Sequence, residues 1–585
     1  MTPNYQFPYL TLASPREIRL ITISAGQFND PLVCTLSHKD LDSHQIPEYE
    51  TISYCWGNAA QRNIIVLNNL PISVPSSSAA ALRHVRLCQS DRTVWLDAIC
   101  INQNDIEERS RQVAIMGAIY RNGTRNLIYL GDEDVGEARD SIAAILKDAS
   151  ETEGSFSRLR NELGAWQYSS TGMKAKYSTQ SLLRFFGLPW FRRVWVLQEA
   201  ALARTNQCFC GSSHFDLLDA TRAAAWLVYN YYFVDPDLRL QCSYTADMND
   251  VVDSTHGYHC SGAGKAPRAL YLLDLGQQRL ATNPVDKVYG ILDMTDDLRL
   301  VPDYRKPLAE TYRDAAWCLA QEGDLSFLDY VRHRTSNRDI RQDGFPSWVP
   351  KWHIGKDLAE DPNFMSLHFD VCPGKKSSVT SLNPHGIEAS IVMDGFKLGG
   401  ITKITDRMRT LDLEDANSLK NIISQIDNIL VELGHSDGAL DVGTSLATTV
   451  VAGVDLHYRP ATAATKHGYD CLLEMVNKGS LPPAISDLPE NSNTSVTLAS
   501  QYREAMANAC KNRAFFVTES GYFGLGPHFA AQNDVVSVLY GSQFPVVLRP
   551  IGKDFLFLGT CYVHGIMHGE ASDGRDKDKV AFSLC

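Results

Sequence analysis

The chain has 585 residues, of which 44% are hydrophobic and 21% charged, an ordinary globular composition that excludes a disordered or fibrous protein and, at this length, predicts two to four domains. A net charge of −13, with no cluster of Lys and Arg, argues against a general nucleic-acid binder, which needs basic groups to neutralise phosphate. No run of about 18 apolar residues predicts a membrane span, and the N-terminus lacks the basic stretch and apolar core of a signal peptide.

Residues 1–50 read as short strands and turns leading into ETISYCWG (50–57), a β-branched and aromatic strand with a glycine exit turn. A hairpin follows over 64–74, turning at Asn68-Asn69, and then a Ser/Ala-rich helix over 76–87. Next come a strand over 93–101, a helix over 105–121 and a strand over 126–131. Strands alternating with helices predict a parallel sheet covered by helices. Another helix begins near Asp140, and the polar, weakly periodic residues 151–180 read as an insertion or mobile loop. LPWFRRVWVLQEAALAR (188–204) predicts one helix with Pro189 in its first turn. Residues 215–330 read as mainly helical, interrupted by a Gly/Ser/Asp-rich loop at about 243–266. After PSWVPKW (346–352) the character changes. Segments around 390–405 and 513–570 are β-branched and aromatic with Gly and Pro turns, as in a small barrel or sandwich. Helices near 416–434 and 497–511 and a Pro/Ser/Asn-rich linker at about 478–496 lie between them.

The familiar chemical signatures are absent. The fourteen cysteines include no CxxC pair, and Cys208 and Cys210 are too close for zinc ligation. His256, His259 and Cys260, like His564 and His568, lack the second half of a metal site. Free buried thiols in a reducing cytosol, Cys55 and Cys100 among them, are the expectation. Gly264-Lys265 is no P-loop, because His259 stands at its first glycine and Ala266 at its hydroxyl. No GxSxG or HExxH occurs.

The densest polar set lies in VWLDAICINQNDIEERSRQVAIMGAIY (94–120). Asp105 and Glu108 have the spacing of a capping box, in which Asp105 accepts from first-turn amides and Glu108 reaches back. Ile106, Val113 and Tyr120 recur every seven residues as a core-facing stripe, and Asn122-Gly123 fits a left-handed stop. Asp97, Asn102 and Gln103 fall at the C-terminal end of a sheet strand. There they either tie the loop backbone together or rim a crevice of the kind in which open α/β sheets bind ligands. Both readings stay open.

TISYCWGN (51–58), VWLDAICINQNDIEERSRQVAIMGAIYRNG (94–123) and PWFRRVWVLQEAALA (189–203) closely resemble the three blocks of the fungal heterokaryon-incompatibility (HET) domain family. DKVYGILDM (286–294), VPDY (301–304), FPSWVPKW (345–352), RAFFVTESGYFGLGP (513–527), DVVSVLYGSQFPVVLRP (534–550) and GTCYVHGIMHGEA (559–571) resemble the linker and C-terminal barrel of its long form. The resemblance spans about residues 45–571. It implies a HET domain over 1–215, a helical linker over 216–385, and a mainly-β barrel over 386–585 with a helical insertion at about 412–511. It further implies a cytoplasmic fungal protein of non-self recognition and regulated cell death. The expected partner is an incompatible allelic or non-allelic fungal protein, with self-association open and neither nucleic acid nor membrane involved.

HET domains are in turn distantly similar to TIR domains, which have a flavodoxin-like α/β fold. Some TIR domains hydrolyse NAD⁺ with the glutamate of a Trp-x-x-x-Glu helix, a spacing shared by Trp195 and Glu199. By that resemblance Ser53-Tyr54 corresponds to the first TIR strand and Trp95-Leu-Asp97 to its Phe-x-Asp strand end. Glu199 is then the catalytic group, and Ser53, Trp56, Asp97, Asn102, Gln103, Arg192 and Trp195 line a dinucleotide site. No cofactor or metal is expected, and NAD is a substrate. On a continuous helix Arg192 and Glu199 share a face about 10.5 Å apart, so Arg192 could hold a diphosphate by bidentate bonds. A single carboxylate suffices, because the nicotinamide nitrogen is already cationic and leaves without protonation, unlike the sugar of an ordinary glycosidase. The structural alternative pairs Glu199 with a buried Arg and gives Arg192 and Arg193 to backbone carbonyls. A non-catalytic recognition module and a small-molecule enzyme with an apolar pocket are the other readings.

Overall fold

In the computed structural model, the β-branched segments of the N-terminal part line up edge to edge. The structure describes the chain apart from residues 1–6, 44–45, 59, 163–176, 231–235, 262–267, 324, 334–339, 341–343, 356–368, 382–389, 433–441, 458, 489–493 and 573. Its contacts divide it into two units, Met1–Leu308 and Ala309–Cys585.

The strands of the first unit are β1 (Glu17–Ile23), β2 (Val33–Asp40), β3 (Glu50–Tyr54), β4 (Arg62–Leu67), β5 (Leu70–Pro75), β6 (Arg92–Trp95), β7 (Asn126–Gly131), β8 (Asn206–Cys210) and β9 (Ser213–Asp216). They form one sheet in the order β5-β4-β2-β1-β6-β3-β7-β8-β9. At its centre β6, β3, β7 and β8 are mutually parallel, while β1 and β9 pair antiparallel on either flank. β3 and β7 are buried almost throughout, as expected of the central strands of a parallel sheet. The β4–β5 hairpin turns at Asn68 and Asn69, with φ of 50° and 64°, the left-handed pair that two-residue hairpin turns require.

Among the described residues, these strands are connected by α1 (Ser76–Val85), α2 (Asp97–Cys100), α3 (Ile106–Val113), α4 (Met116–Asn122), α5 (Gly136–Glu162), α6 (Thr179–Phe186) and α7 (Trp195–Leu202). The helical middle of the chain begins with α8 (Leu217–Asn230), α9 (Pro236–Ser261), α10 (Ala269–Gln277), α11 (Asp286–Tyr289) and α12 (Leu308–Gln321).

Five local expectations are corrected. The strand over 93–101 ends at Trp95, because residues 97–100 wind into the turn of α2. The helix over 105–121 is two helices, broken where Ile115 takes φ −116° and ψ 8°. The seven-residue stripe fails only at its first position, where Ile106 is 45% exposed, while Val113 and Tyr120 are buried. Gly123 is extended rather than left-handed, since the chain enters β7 at once and Thr124 bonds to the Tyr49 carbonyl. Residues 243–261 continue α9 instead of looping, because Leu238, Cys242, Thr245 and Met248 recur on one buried helical face. Of the insertion expected at 151–180, residues 151–162 extend α5, and 163–176 lie outside the described residues.

In the second unit the strands are β10 (Thr380–Ser381), β11 (Ile391–Ile404), β12 (Arg513–Thr518), β13 (Phe523–Pro527), β14 (Val535–Leu539), β15 (Val546–Ile551), β16 (Asp554–Thr560), β17 (Tyr562–Val563) and β18 (Val580–Leu584). β11 is 14 residues long and pairs in succession with β18, β14 and β12. Together with the β14–β15, β15–β16 and β16–β18 pairings, this closes a ring, β11-β14-β15-β16-β18, that hides its edges. Between β11 and β12 lie α13 (Thr410–Leu413), α14 (Ala416–Glu432), α15 (Val442–Thr449), α16 (Ala463–Asn477) and α17 (Thr494–Cys510). Their apolar faces, with Leu419, Ile426, Leu472 and Met506, share one core with Phe396, Phe515, Val538 and Leu556 of the strands. Among the described residues no helix is long and apolar enough to cross a membrane.

Candidate functional site

Side chains alternate along β3, so Ser53 and Tyr54 leave opposite faces of the sheet. The Ser53 hydroxyl donates to the Glu199 carboxylate on α7 and accepts from the Trp190 indole at 2.8 Å. Glu199 is 6% exposed. Burial raises its pKa to about 7, against the pull of Arg193 and the Ser53 hydrogen bond, while the Asp97 charge adds to the rise.

The expected helix over 188–204 is interrupted, and the interruption builds the site. Pro189–Arg192 is a 3-10 turn, Arg193 is extended at φ −78° and ψ 144°, and α7 starts at Trp195. The break has a cause in the fold. Leu280 donates its amide to the Arg192 carbonyl at 2.5 Å and accepts from the Val194 amide at 3.0 Å, a strand-like bridge that holds residue 193 out of helix. Arg193 is thereby aimed at the strand ends. Its guanidinium donates to the Tyr54 carbonyl. Burial disfavours its charge, but Glu199, Cys55 and Asp97 together outweigh that and raise its pKa. Arg192 goes elsewhere, 5.6 Å from the centre of the Tyr244 ring. It shares no continuous helix with Glu199, so the spacing argument for it does not hold.

Asp97 follows β6. Its carboxylate accepts from the Trp56 indole at 2.8 Å and from the Ala98 amide at 2.7 Å. Burial raises its pKa, opposed by Arg193, Trp56, Ala98 and Tyr54. Tyr54 in turn lies 2.8 Å from the Ser78 hydroxyl on α1. Ser53, Trp56, Asp97 and Glu199 are thus brought into one neighbourhood around Arg193.

Asn102 and Gln103 tie the loop. The Gln103 side chain donates to the Asp97 carbonyl at 2.9 Å, and Asn102 donates its amide to Glu108 at 2.6 Å. Asp105 caps α3, accepting from the amides of Glu107 and Glu108 at 3.0 Å each. Glu108 does not reach back to complete a capping box. It forms a buried two-pronged pair with Arg19 at 2.6 and 2.9 Å, which a carboxylate satisfies better than a single amide. Trp195 opens α7 and interacts electrostatically with Asp286, whose carboxylate accepts the Tyr304 hydroxyl at 2.8 Å. Sequence reasoning gave Arg193 only a structural part, as a donor to backbone carbonyls, which its bond to the Tyr54 carbonyl matches; it placed Tyr54 on the strand without a role and did not single out Asp286. Only the recurrence of aromatic and acidic residues in DKVYGILDM and VPDY pointed near the last.

Chemically, the neighbourhood offers two carboxyl groups with raised pKa values, one guanidinium between them, and indole and hydroxyl donors that fix their orientation. Among the described residues no group of three His, Cys, Asp or Glu side chains could hold a metal.

The comparisons with known proteins agree with this architecture. Residues 49–199 match the family described as heterokaryon incompatibility protein (HET), and residues 485–583 match the Het-6 beta-barrel domain. The chain thus carries a region similar to the HET domain followed by one similar to the Het-6 beta-barrel, the order expected of the long form of that family. It is 24% identical to "Heterokaryon incompatibility protein 6, OR allele" of Neurospora crassa, in a match covering 98% of this chain and 97% of that protein. No solved structure matches.

Proposed function

We propose that the chain is a cytoplasmic effector of fungal heterokaryon incompatibility whose N-terminal α/β unit hydrolyses NAD⁺ at Glu199. The observation that carries this reading is the gathering of Glu199, Asp97 and Arg193 beside Ser53 and Trp56 at the ends of β3 and β6. Taken in chain order, the four central parallel strands lie second-first-third-fourth, as in a flavodoxin-like, and hence TIR-like, sheet. Such sheets bind ligands outside the carboxyl ends of their strands, where the order reverses.

In the reaction the bond between ribose C1′ and the nicotinamide nitrogen breaks, and its electron pair neutralises the pyridinium. The ribosyl cation is stabilised by ionised Glu199, with Asp97 adding negative potential. Water then adds to C1′ and releases its proton to the carboxylate and on to solvent. Ser53 holds Glu199 in place, and Arg193 takes the anion-binding role expected of Arg192. Purified protein incubated with NAD⁺ should release nicotinamide, and Glu199→Gln should lower kcat by about 10²–10³, the usual effect of losing one preorganised electrostatic group. Equal turnover by wild type and Glu199→Gln, or none by wild type, overturns the reading.

A second reading has its own observation. Glu199 is nearly enclosed and already engaged by Ser53 and Arg193, which suits a structural carboxylate in a recognition module without catalysis. In that case exchanging residues 390–585 between strains transfers partner specificity, and Glu199→Gln leaves the incompatibility phenotype intact.

A further inference from the structure

We propose that Tyr9 and Arg19, both ahead of the segment similar to the HET domain, are positioning residues of the strand-end site. Together they complete the one-turn helix α2 and so fix the Asp97 carboxylate against the Trp56 indole. This rests on Asp97 and Trp56 belonging to the NAD⁺ site.

α2 is a single turn of four residues, and an isolated turn of that length has no stability of its own. Its last carbonyls also lack partners within the helix. Two side chains from near the N-terminus supply them. The Tyr9 hydroxyl donates to the Ile99 carbonyl at 2.9 Å, and the Arg19 guanidinium donates to the Cys100 carbonyl at 2.9 Å. At the other end of the turn the Asp97 carbonyl accepts from the Ile101 amide at 3.2 Å and from the Gln103 side chain at 2.9 Å.

Arg19 is the centre of this arrangement. It is fully buried on β1, and each of its two terminal nitrogens makes two bonds. Nη1 donates to the Cys100 carbonyl and to Glu108, and Nη2 donates to Glu108 and, at 2.8 Å, to the Leu10 carbonyl. The guanidinium also lies 4.8 Å from the centre of the Tyr9 ring. The N-terminal segment, α2 and α3 therefore meet on one side chain. Glu108, whose charge Arg19 satisfies, accepts the Asn102 amide at 2.6 Å and so pins the chain where it leaves the turn. A separate bond, from the Gln112 side chain of α3 to the Glu17 carbonyl of β1 at 2.9 Å, seats α3 on the same strand.

The turn delivers Asp97 to the exit of β3. Its carboxylate accepts from the Trp56 indole at 2.8 Å. Trp56 stands three residues after Ser53, whose hydroxyl donates to Glu199. A shift of α2 therefore stretches the Asp97–Trp56 bond and moves one wall of the site relative to the strand that holds Glu199.

The test uses the full chain. Tyr9→Phe removes the bond to Ile99 and keeps the ring beside Arg19. In protein with isotopically labelled tryptophan, the indole N–H resonance of Trp56 is identified by its loss in Trp56→Phe. It should move upfield in Tyr9→Phe, as an N–H does when its bond to a carboxylate lengthens, while the Trp190 indole, bonded to Ser53, stays in place. Amides of residues 100–102 should exchange faster with solvent, and those of β7 should keep their rate. Nicotinamide release should lose about two- to tenfold in kcat, the usual worth of one hydrogen bond, with KM little changed. In an Asp97→Asn background Tyr9→Phe should cost nothing further, because residues acting through one another are not additive. An additive loss would mark a merely structural role and overturn the inference. If wild type releases no nicotinamide, the hydrolase reading fails, and the Trp56 resonance and the exchange rates decide the role of Tyr9 and Arg19. The double variant Arg19→Met, Glu108→Met, which removes both charges of the buried pair together, should move the resonance further than Tyr9→Phe does. An unmoved Trp56 resonance in the variants that fold, or exchange quickened equally in α2 and β7, overturns the inference.

Discussion

Glu199 is buried, carries a raised pKa of about 7, and sits where ionisation is opposed by its surroundings. Two predictions follow at this scale. Catalysis through an ionised carboxylate requires kcat/KM to rise with pH, with a midpoint near 7 that disappears in Glu199→Gln. Stability moves the other way. A carboxyl whose folded pKa exceeds its unfolded value of 4.5 stabilises the fold most fully below that value. The contribution is lost as pH rises through about 7. The wild-type advantage over Glu199→Gln should therefore shrink by about 3 kcal/mol between pH 4 and pH 8, measured by urea unfolding at each pH. A constant difference would show that Glu199 ionises in the fold as it does in solution. That Ser53, Asp97 and Glu199 are neighbours was expected from the family blocks. The choice of Arg193 over Arg192 was not, because the Leu280 bridge that breaks the helix comes from far along the chain.

At the scale of elements, local pattern reported type better than extent. β3, β6 and β7 announced themselves by β-branched runs, and the hairpin by its Asn-Asn turn. α9 was hidden because its Ser, Asp and Gly residues, which read as a loop, occupy the part of a helix that packing elsewhere on the same helix already stabilises. Gly117 on α4 gives a test in which two rules conflict. Alanine normally favours a helix over glycine by about 1 kcal/mol. Here an added Cβ would lie 2.4 Å from the Asp293 Cβ and 2.5 Å from its carboxylate, and overpacking of that kind costs about 1–3 kcal/mol. The clash should win. Gly117→Ala should lower the urea midpoint, and Asp293→Gly in the same chain should recover part of the loss; a stabilised Gly117→Ala would mean that Asp293 yields easily.

Across the whole molecule, the two sheets treat their edges differently: the sheet of the first unit is open and ends in β5 and β9, while the ring of the second joins its ends. The sheet-and-helix alternation was readable from periodicity, and so was the β-rich character of the C-terminal part. Closure of the ring was not, because register between distant strands leaves no local mark. Gly395 of β11 marks a close approach within the ring. A Cβ there would meet the Val538 carbonyl of β14 at 2.2 Å. Gly395→Val should lower the stability of the second unit, seen as earlier hydrogen exchange in β14 and β18, while amides of β3 and β7 keep their protection. Equal loss in both units would mean that they unfold as one.

β11 ends at Ile404, yet its neighbour β12 begins at Arg513 and β18 at Val580. That separation governs the order of events when the chain folds. Loop closure must precede the contacts that reward it, and strand pairings distant in sequence form slowly. The helices α14, α16 and α17 are local structures that can form while β11 still waits for its partners. Refolding of the second unit should therefore be slow and pass through a state with helices assembled and β11 unpaired. In that interval an exposed, apolar strand edge is available to neighbouring chains, and aggregation competes with native closure.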